Sequence, residues 1–280
     1  MIGWLFINYN DERGVYSNLD KLLACGVEAK DIFIIDNGSI KTFPNYFNLY
    51  RVPSNIQFGG VARHSLQYFI EHTNYEFFVI MTNSCELLGS VDYLSGFRKS
   101  VKNSRLGFVV AGLIGPAVEE HAPKQKYEQS GEKVQIQYPQ PIATMLSRSF
   151  LRKLFQENMS YFNPELNRGW GIDREMRFAC DKFQFLGYVD RALPVRWNKN
   201  YLHVEGLVDE RVRTYFDDAE SEMRSAFTRR YGAGWESLFE SAFRNEPLNT
   251  NKNRLSALIN VGRYILVRTR SIILSYFKNK

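Results

Sequence analysis

The chain has 280 residues, of which 44% are hydrophobic and 15% aromatic, enough to pack one large domain and to exclude wholesale disorder. Its net charge of +6 is unevenly held, because no acidic residue follows Glu246 and seven cations do (Lys252, Arg254, Arg263, Arg268, Arg270, Lys278 and Lys280), which leaves about −1 for residues 1–246. No run reaches the roughly 18 apolar residues of a spanning helix, MIGWLFINYN has no basic region of a secretory leader, and Cys25, Cys85 and Cys180 are scattered without metal-ligand spacing, as expected of reduced thiols in a cytosolic protein.

In chain order, residues 3–7 form an apolar strand that ends in Asn8-Tyr9-Asn10-Asp11. Residues 15–25 space Val15, Leu19, Leu22 and Leu23 as a helix does. Residues 32–35 are a second strand, closed by Asp36-Asn37-Gly38-Ser39, and a short third strand lies near 49–52. Gly59-Gly60-Val61-Ala62-Arg63 opens a helix with Leu66, Phe69 and Ile70 on one face. The stretch FFVIMTNSCELLGS (77–90) then begins with five apolar residues, the signature of a strand covered on both faces. Alternation of strand and helix predicts a doubly wound, mainly parallel sheet.

Further on, residues 108–111 read as a strand and the polar segment 116–136 as a loop. A strand over 142–146, a helix over 149–155, the turn Asn167-Arg168-Gly169-Trp170-Gly171-Ile172-Asp173, a helix over 175–182 and a strand over 185–189 follow. Residues 208–246 read as helical with a break at Gly232–Gly234, and 253–277 as a separate last helix. The expected organisation is a body over 1–207, a helical extension over 208–246 and a basic tail over 247–280.

The first strand–helix turn excludes a large class. Dinucleotide folds need G-x-G-x-x-G there to admit a pyrophosphate, and this chain has INYNDERG. NAD, FAD and haem are not expected, and there is no P-loop, G-x-S-x-G or H-E-x-x-H motif.

What remains is a series of strand ends: INYN, IIDNGS, N-x-x-F-G-G-V-A-R, VIMTNS and GWGIDRE. In order and spacing over about residues 1–205 this series resembles the GT-A glycosyltransferases, in particular the broad family 2 group. The resemblance implies a GT-A sheet flanked by helices, a nucleotide-sugar donor, and inverting transfer to a glycan or lipid-linked acceptor in cell-surface polysaccharide synthesis. It implies donor binding by Asn8, Asn10, Asp36, Asn37 and Arg63, and by the Thr82-Asn83-Ser84 slot. It implies Asp173 as general base, acceptor contacts from Trp170 and Glu175, and a diphosphate metal held with His203.

That slot departs from the resemblance. Such enzymes commonly place D-x-D there for Mg²⁺ or Mn²⁺, whose hard charge prefers carboxylate oxygens. Thr82-Asn83-Ser84 carries no charge, and Glu86 comes two residues late. Three readings stay open: a weak metal held by the donor with Glu86 and His203; metal-free transfer in which Arg63, Arg196 or Lys199 offsets the leaving group's charge; or a catalytically silent nucleotide-sugar-binding or scaffolding protein. Residue by residue, plainer roles compete as well. Asp36 to Ser39 suits a turn, Trp170 a packed lid, Asp173 a helix cap, Glu175 a salt bridge, and His203 a structural contact.

The tail is a separate signal. Leu255, Leu258, Ile259, Ile265, Leu266, Ile272, Ile273, Tyr276 and Phe277 make one apolar stripe flanked by arginines. That composition suits an interfacial helix over 253–280 on an anionic membrane, which would place the protein on the cytoplasmic, inner face; a docked helix or homodimer contact is the competing reading. Nucleic acid is not expected, because the aromatics sit within the stripe and are not interleaved with the charges.

Overall fold

The computed structural model describes residues 1–83, 85–105, 111–118, 133–135, 143–197 and 209–239. It is a mixed α/β architecture built on a nine-stranded sheet of order β3-β2-β1-β4-β8-β6-β9-β5, with β7 paired to β9. Strands β1 (Ile2–Asn8), β2 (Ile32–Asp36), β3 (Leu49–Arg51) and β4 (Phe77–Thr82) run parallel to one another. Strand β8 (Ala143–Ser147) is antiparallel to β4 and to β6 (Ala111–Val118), which pairs in parallel with β9 (Leu186–Trp197).

Two-faced burial explains the apolar strands. Leu5 and Ile7 of β1, with Phe78 and Ile80 of β4, join a core under α2 (Gln57–His72), α4 (Arg148–Asn158) and α5 (Ile172–Phe183). Trp4 and Phe6, with Val79 and Met81, join another under α1 (Glu12–Ala24) and α3 (Tyr93–Arg105). Successive side chains point to opposite faces, so a strand roofed on both sides must be apolar at every position.

The sheet curls. Only two residues separate β4 from β5 (Cys85–Leu87), yet β8, β6 and β9 lie between them in strand order. Four strand spacings cover about 19 Å in a flat sheet, whereas three Cα steps reach at most about 11 Å. The far edge therefore bends back towards β4, where Asn18 of α1 holds β5 through the Cys85 carbonyl (2.8 Å) and the Leu87 N–H (2.8 Å).

The segment expected as a loop over 116–136 is in part strand: β6 runs to Val118, and β7 (Lys133–Gln135) pairs antiparallel with β9. Strand β9 also runs past residue 189 to Trp197, through Pro194, where its register against β6 shifts. Long-range pairing, which local pattern does not encode, sets both. Most of the strand expected at 108–111 and the whole 253–277 helix lie outside the described residues. Helices α6 (Asp209–Tyr231) and α7 (Trp235–Leu238), separated by Gly232 at φ +83°, send Met223, Ala226, Phe227 and Trp235 into the core beneath α2 and α5. Among the described residues no helix is long and apolar enough to cross a membrane.

Candidate active site

The carboxyl ends of β1 and β2 are tied by a buried polar knot. Asn8 donates from Nδ2 to Asp36 Oδ1 (2.8 Å), and the Ser39 hydroxyl donates to the same oxygen. The Ser39 N–H reaches Asp36 Oδ2 at 3.0 Å, and Arg51 Nε lies 3.2 Å from that oxygen. Asn10, in the left-handed region at φ +54°, accepts at Oδ1 from the Ile40 and Lys41 amides, each at 3.0 Å. Asn37 donates to Asn55 (3.0 Å) and accepts the Ile56 N–H (3.1 Å), which pins the entry to α2.

These contacts place four of the residues expected at the donor. Asn8 and Asp36 are fully buried, and Asn37 and Asn10 nearly so, with the side-chain oxygens of all four already accepting hydrogen bonds. The Asp36 carboxylate is sealed, with Asn8 and Ser39 on one oxygen and Ser39 and Arg51 on the other. The knot ties the β1 and β2 ends together; sequence reasoning saw the residue types at strand ends but not which way they turn.

At the end of β4, Asn83 donates to the Tyr9 carbonyl (2.8 Å), and its buried Oδ1 has no partner among the described residues. Thr82 sits beside Ile7 in the β1–β4 register. Glu86 faces Arg196 across the β5–β9 pair and lies 3.7 Å from it and 3.8 Å from Lys21. Its charge is thus shared between two cations. One neutral amide oxygen and a hydroxyl do not suit Mg²⁺ or Mn²⁺, and among the described residues no three His, Cys, Asp or Glu side chains converge. The donor set does not fit a resident divalent metal there. Ser84, Lys199 and His203 lie outside the described residues.

The acidic part of the site comes from the segment between α4 and α5, pressed against α2. Gly59 donates to the Asn167 carbonyl at 2.8 Å, and a Cβ on Gly59 would overlap the Leu166 carbonyl oxygen, so the glycine is needed for the approach. Arg63, half-buried, donates to the Asn163 carbonyl (3.3 Å) and to Asn167 Oδ1 (2.9 Å). Both acceptors are neutral, so the cation keeps its charge even though desolvation lowers its pKa.

The chain then turns through Gly169 (φ +90°) and Gly171 (φ +87°) into α5. Trp170 between them is 37% exposed and leans on Phe216 of α6, ring centres 5.5 Å apart. Gly171 occupies the N-cap position, so Asp173 is not the cap; it sits in the first turn of α5. Burial pushes its carboxyl above the ordinary 3.8, while the N–H groups of Arg174, Asp173 and Gly171 and the charge of Arg174 pull the other way. A carboxylate of raised basicity at a helix start can take a proton from a hydroxyl. Glu175, expected at the acceptor, is instead internal at 4% exposure. It accepts the Asn163 N–H (3.2 Å) and the Tyr231 hydroxyl (2.7 Å) and lies 3.5 Å from Arg230, with its own carboxyl raised by burial.

The mixed, mainly parallel sheet flanked by helices is a GT-A-like glycosyltransferase fold. The mannosyltransferase PcManGT from Pyrobaculum calidifontis, solved in complex with GDP-Man and Mn²⁺, is similar over 95% of this chain and 80% of its own, with TM-score 0.52 and 10% identity. TarS residues 1–349 from S. aureus is similar over 84% of this chain and 74% of its own, with TM-score 0.48 and 12% identity. No family model matches the chain, and no curated protein matches it.

Proposed function

We propose that the protein is an inverting glycosyltransferase that moves a sugar from a nucleotide-sugar donor to an acceptor hydroxyl. The observation that carries this reading is Asp173: a carboxylate of raised basicity in the first turn of α5, following a segment that the cation Arg63 holds at Asn163 and Asn167. Inverting transfer asks for a base at the attacking hydroxyl and for positive charge near the departing diphosphate. Asp173 takes the first role. Arg63 takes the second without a metal carboxylate pair, since both of its hydrogen-bond acceptors are neutral.

The unpartnered Asn83 Oδ1 at the end of β4 supports donor binding at that strand end, because a buried oxygen without a donor costs about 1–3 kcal/mol until a ligand supplies one. A ribose or sugar hydroxyl would do so. Any divalent metal would then arrive with the diphosphate instead of residing in the empty protein. A glycan or lipid-linked acceptor, Trp170 at its side, work at the inner face of a membrane through 253–280, and a place in cell-surface polysaccharide synthesis complete the proposal.

The test is transfer or donor hydrolysis by purified protein across a panel of nucleotide sugars, with calorimetry of the matching nucleoside diphosphate. Arg63→Ala should weaken that nucleotide by roughly 1–3 kcal/mol, the scale of a charged hydrogen bond. Binding without any turnover would favour the catalytically silent scaffold.

A further inference from the structure

The turn that carries Asp173 is held from a second side by a helix that the strand-end motifs do not include. Glu222 of α6 accepts the Arg168 main-chain N–H at Oε1 (2.9 Å) and the Arg168 guanidinium at Oε2 (3.1 Å). One carboxylate thereby fixes both the backbone and the side chain of the residue that precedes Gly169. Asp218 takes the other guanidinium nitrogen at 3.2 Å, and the Tyr215 hydroxyl donates to the Arg168 carbonyl at 3.4 Å. Past the turn, a Cβ on Gly171 would meet Met223 Cγ at 2.6 Å and Phe227 Cζ at 2.8 Å, so the main chain lies directly on α6.

The ion pairs of Arg224 and Arg229 on this helix are of a different kind. Arg224 with Glu220 and Glu236, and Arg229 with Glu165, join exposed side chains, and such pairs contribute little. The Glu222 side chain is 18% exposed and takes a main-chain donor. Its charge also acts on Arg63, on the opposite side of the same segment.

We infer that Glu222 is the positioning residue of the Arg168–Asp173 turn, a two-point clamp on Arg168 that sets where the Asp173 carboxylate points. This rests on the proposed role of Asp173. The physical case is that two left-handed glycines, Gly169 and Gly171, on either side of Trp170 make a turn with little conformational preference of its own, so its shape must be imposed from outside. The segment over 163–167 is imposed by α2 through Gly59 and Arg63, and the segment from Arg168 onwards by α6. A base displaced by an ångström loses much of its effect.

Two measurements on Glu222→Ala decide the inference. Hydrogen exchange of the amides at 168–173 should quicken relative to the wild type, and this needs no activity. In an enzyme whose donor has been found, kcat should fall roughly 10- to 100-fold while the affinity for nucleoside diphosphate stays within about twofold. Glu222→Gln keeps one oxygen for the Arg168 amide and should recover much of the protection, and it serves where the alanine variant does not fold. Arg229→Ala, which breaks an exposed pair on the same helix, should leave exchange at 168–173 and kcat as they are. Unchanged exchange in both Glu222 variants overturns the clamp. Quickened exchange with undiminished kcat overturns its role in catalysis. A wild type that transfers no sugar refutes the proposed function instead, and leaves the exchange result to judge the clamp.

Discussion

Replacing Asp36 with alanine separates a structural knot from a donor contact. Three buried donors now point at its carboxylate: Asn8 Nδ2 at 2.8 Å, the Ser39 N–H at 3.0 Å and the Ser39 hydroxyl. Asn8 would keep a long contact to Ser39 Oγ at 3.4 Å, but the Ser39 amide and hydroxyl would lose their acceptor in a residue that is 1% exposed. A buried donor left unpaired costs about 1–3 kcal/mol, so two such donors set an expected loss of about 2–5 kcal/mol once partial relief by water is allowed. Arg51 is 42% exposed and can turn to solvent, so Arg51→Ala should cost no more than about 1 kcal/mol. Urea unfolding of both variants, read as a change in midpoint at constant slope, measures the difference. An Asp36→Ala protein that stays within about 1 kcal/mol of the wild type but loses nucleotide affinity would refute the knot and return Asp36 to the donor.

Asp173→Asn should lower turnover by at least about 10²-fold with donor affinity unchanged, the scale of a lost general base. Because burial raises its carboxyl, kcat/KM should fall with acid at a pH above the ordinary 3.8. The same shift means that the charged form weakens the fold: its stabilising contribution is complete below the unfolded value and fades as pH rises through the folded one, so Asp173→Asn should not lower stability at neutral pH. Gly59→Ala puts a methyl group against the Leu166 carbonyl, a backbone atom that cannot rotate away; thermal unfolding should report a loss of about 1–3 kcal/mol, with turnover reduced as the 166–171 segment shifts. Full-length protein should sediment with anionic vesicles and release partly in high salt, whereas a chain ending before Asn253 should stay in solution and keep its fold, since seven cations follow Glu246 with no acid among them. Sedimentation with neither anionic nor neutral vesicles would favour the docked-helix reading.

The sequence by itself determined the strand-and-helix alternation of the first 82 residues, because a strand roofed on both faces must be apolar throughout and a helix roofed on one must repeat every three to four residues. It also determined the chemistry at the strand ends, including the uncharged Thr82-Asn83 pair where a metal site would need carboxylates. It did not determine direction. Asp36 and Glu175 have the composition of ligands and the burial of rivets, and only their partners in space, Ser39 and Tyr231, decide that. Nor did it reveal β5 and β7, whose three residues each are strands only because β9 is there to pair with them. The grip of α6 on Arg168 lies further still from local pattern. Glu222 and Arg168 are 54 positions apart, and no periodicity relates them. A charge on a helix face becomes a clamp only when the tertiary structure brings a main-chain donor and a guanidinium to the same carboxylate, and that meeting is a property of the packed core, not of either segment alone.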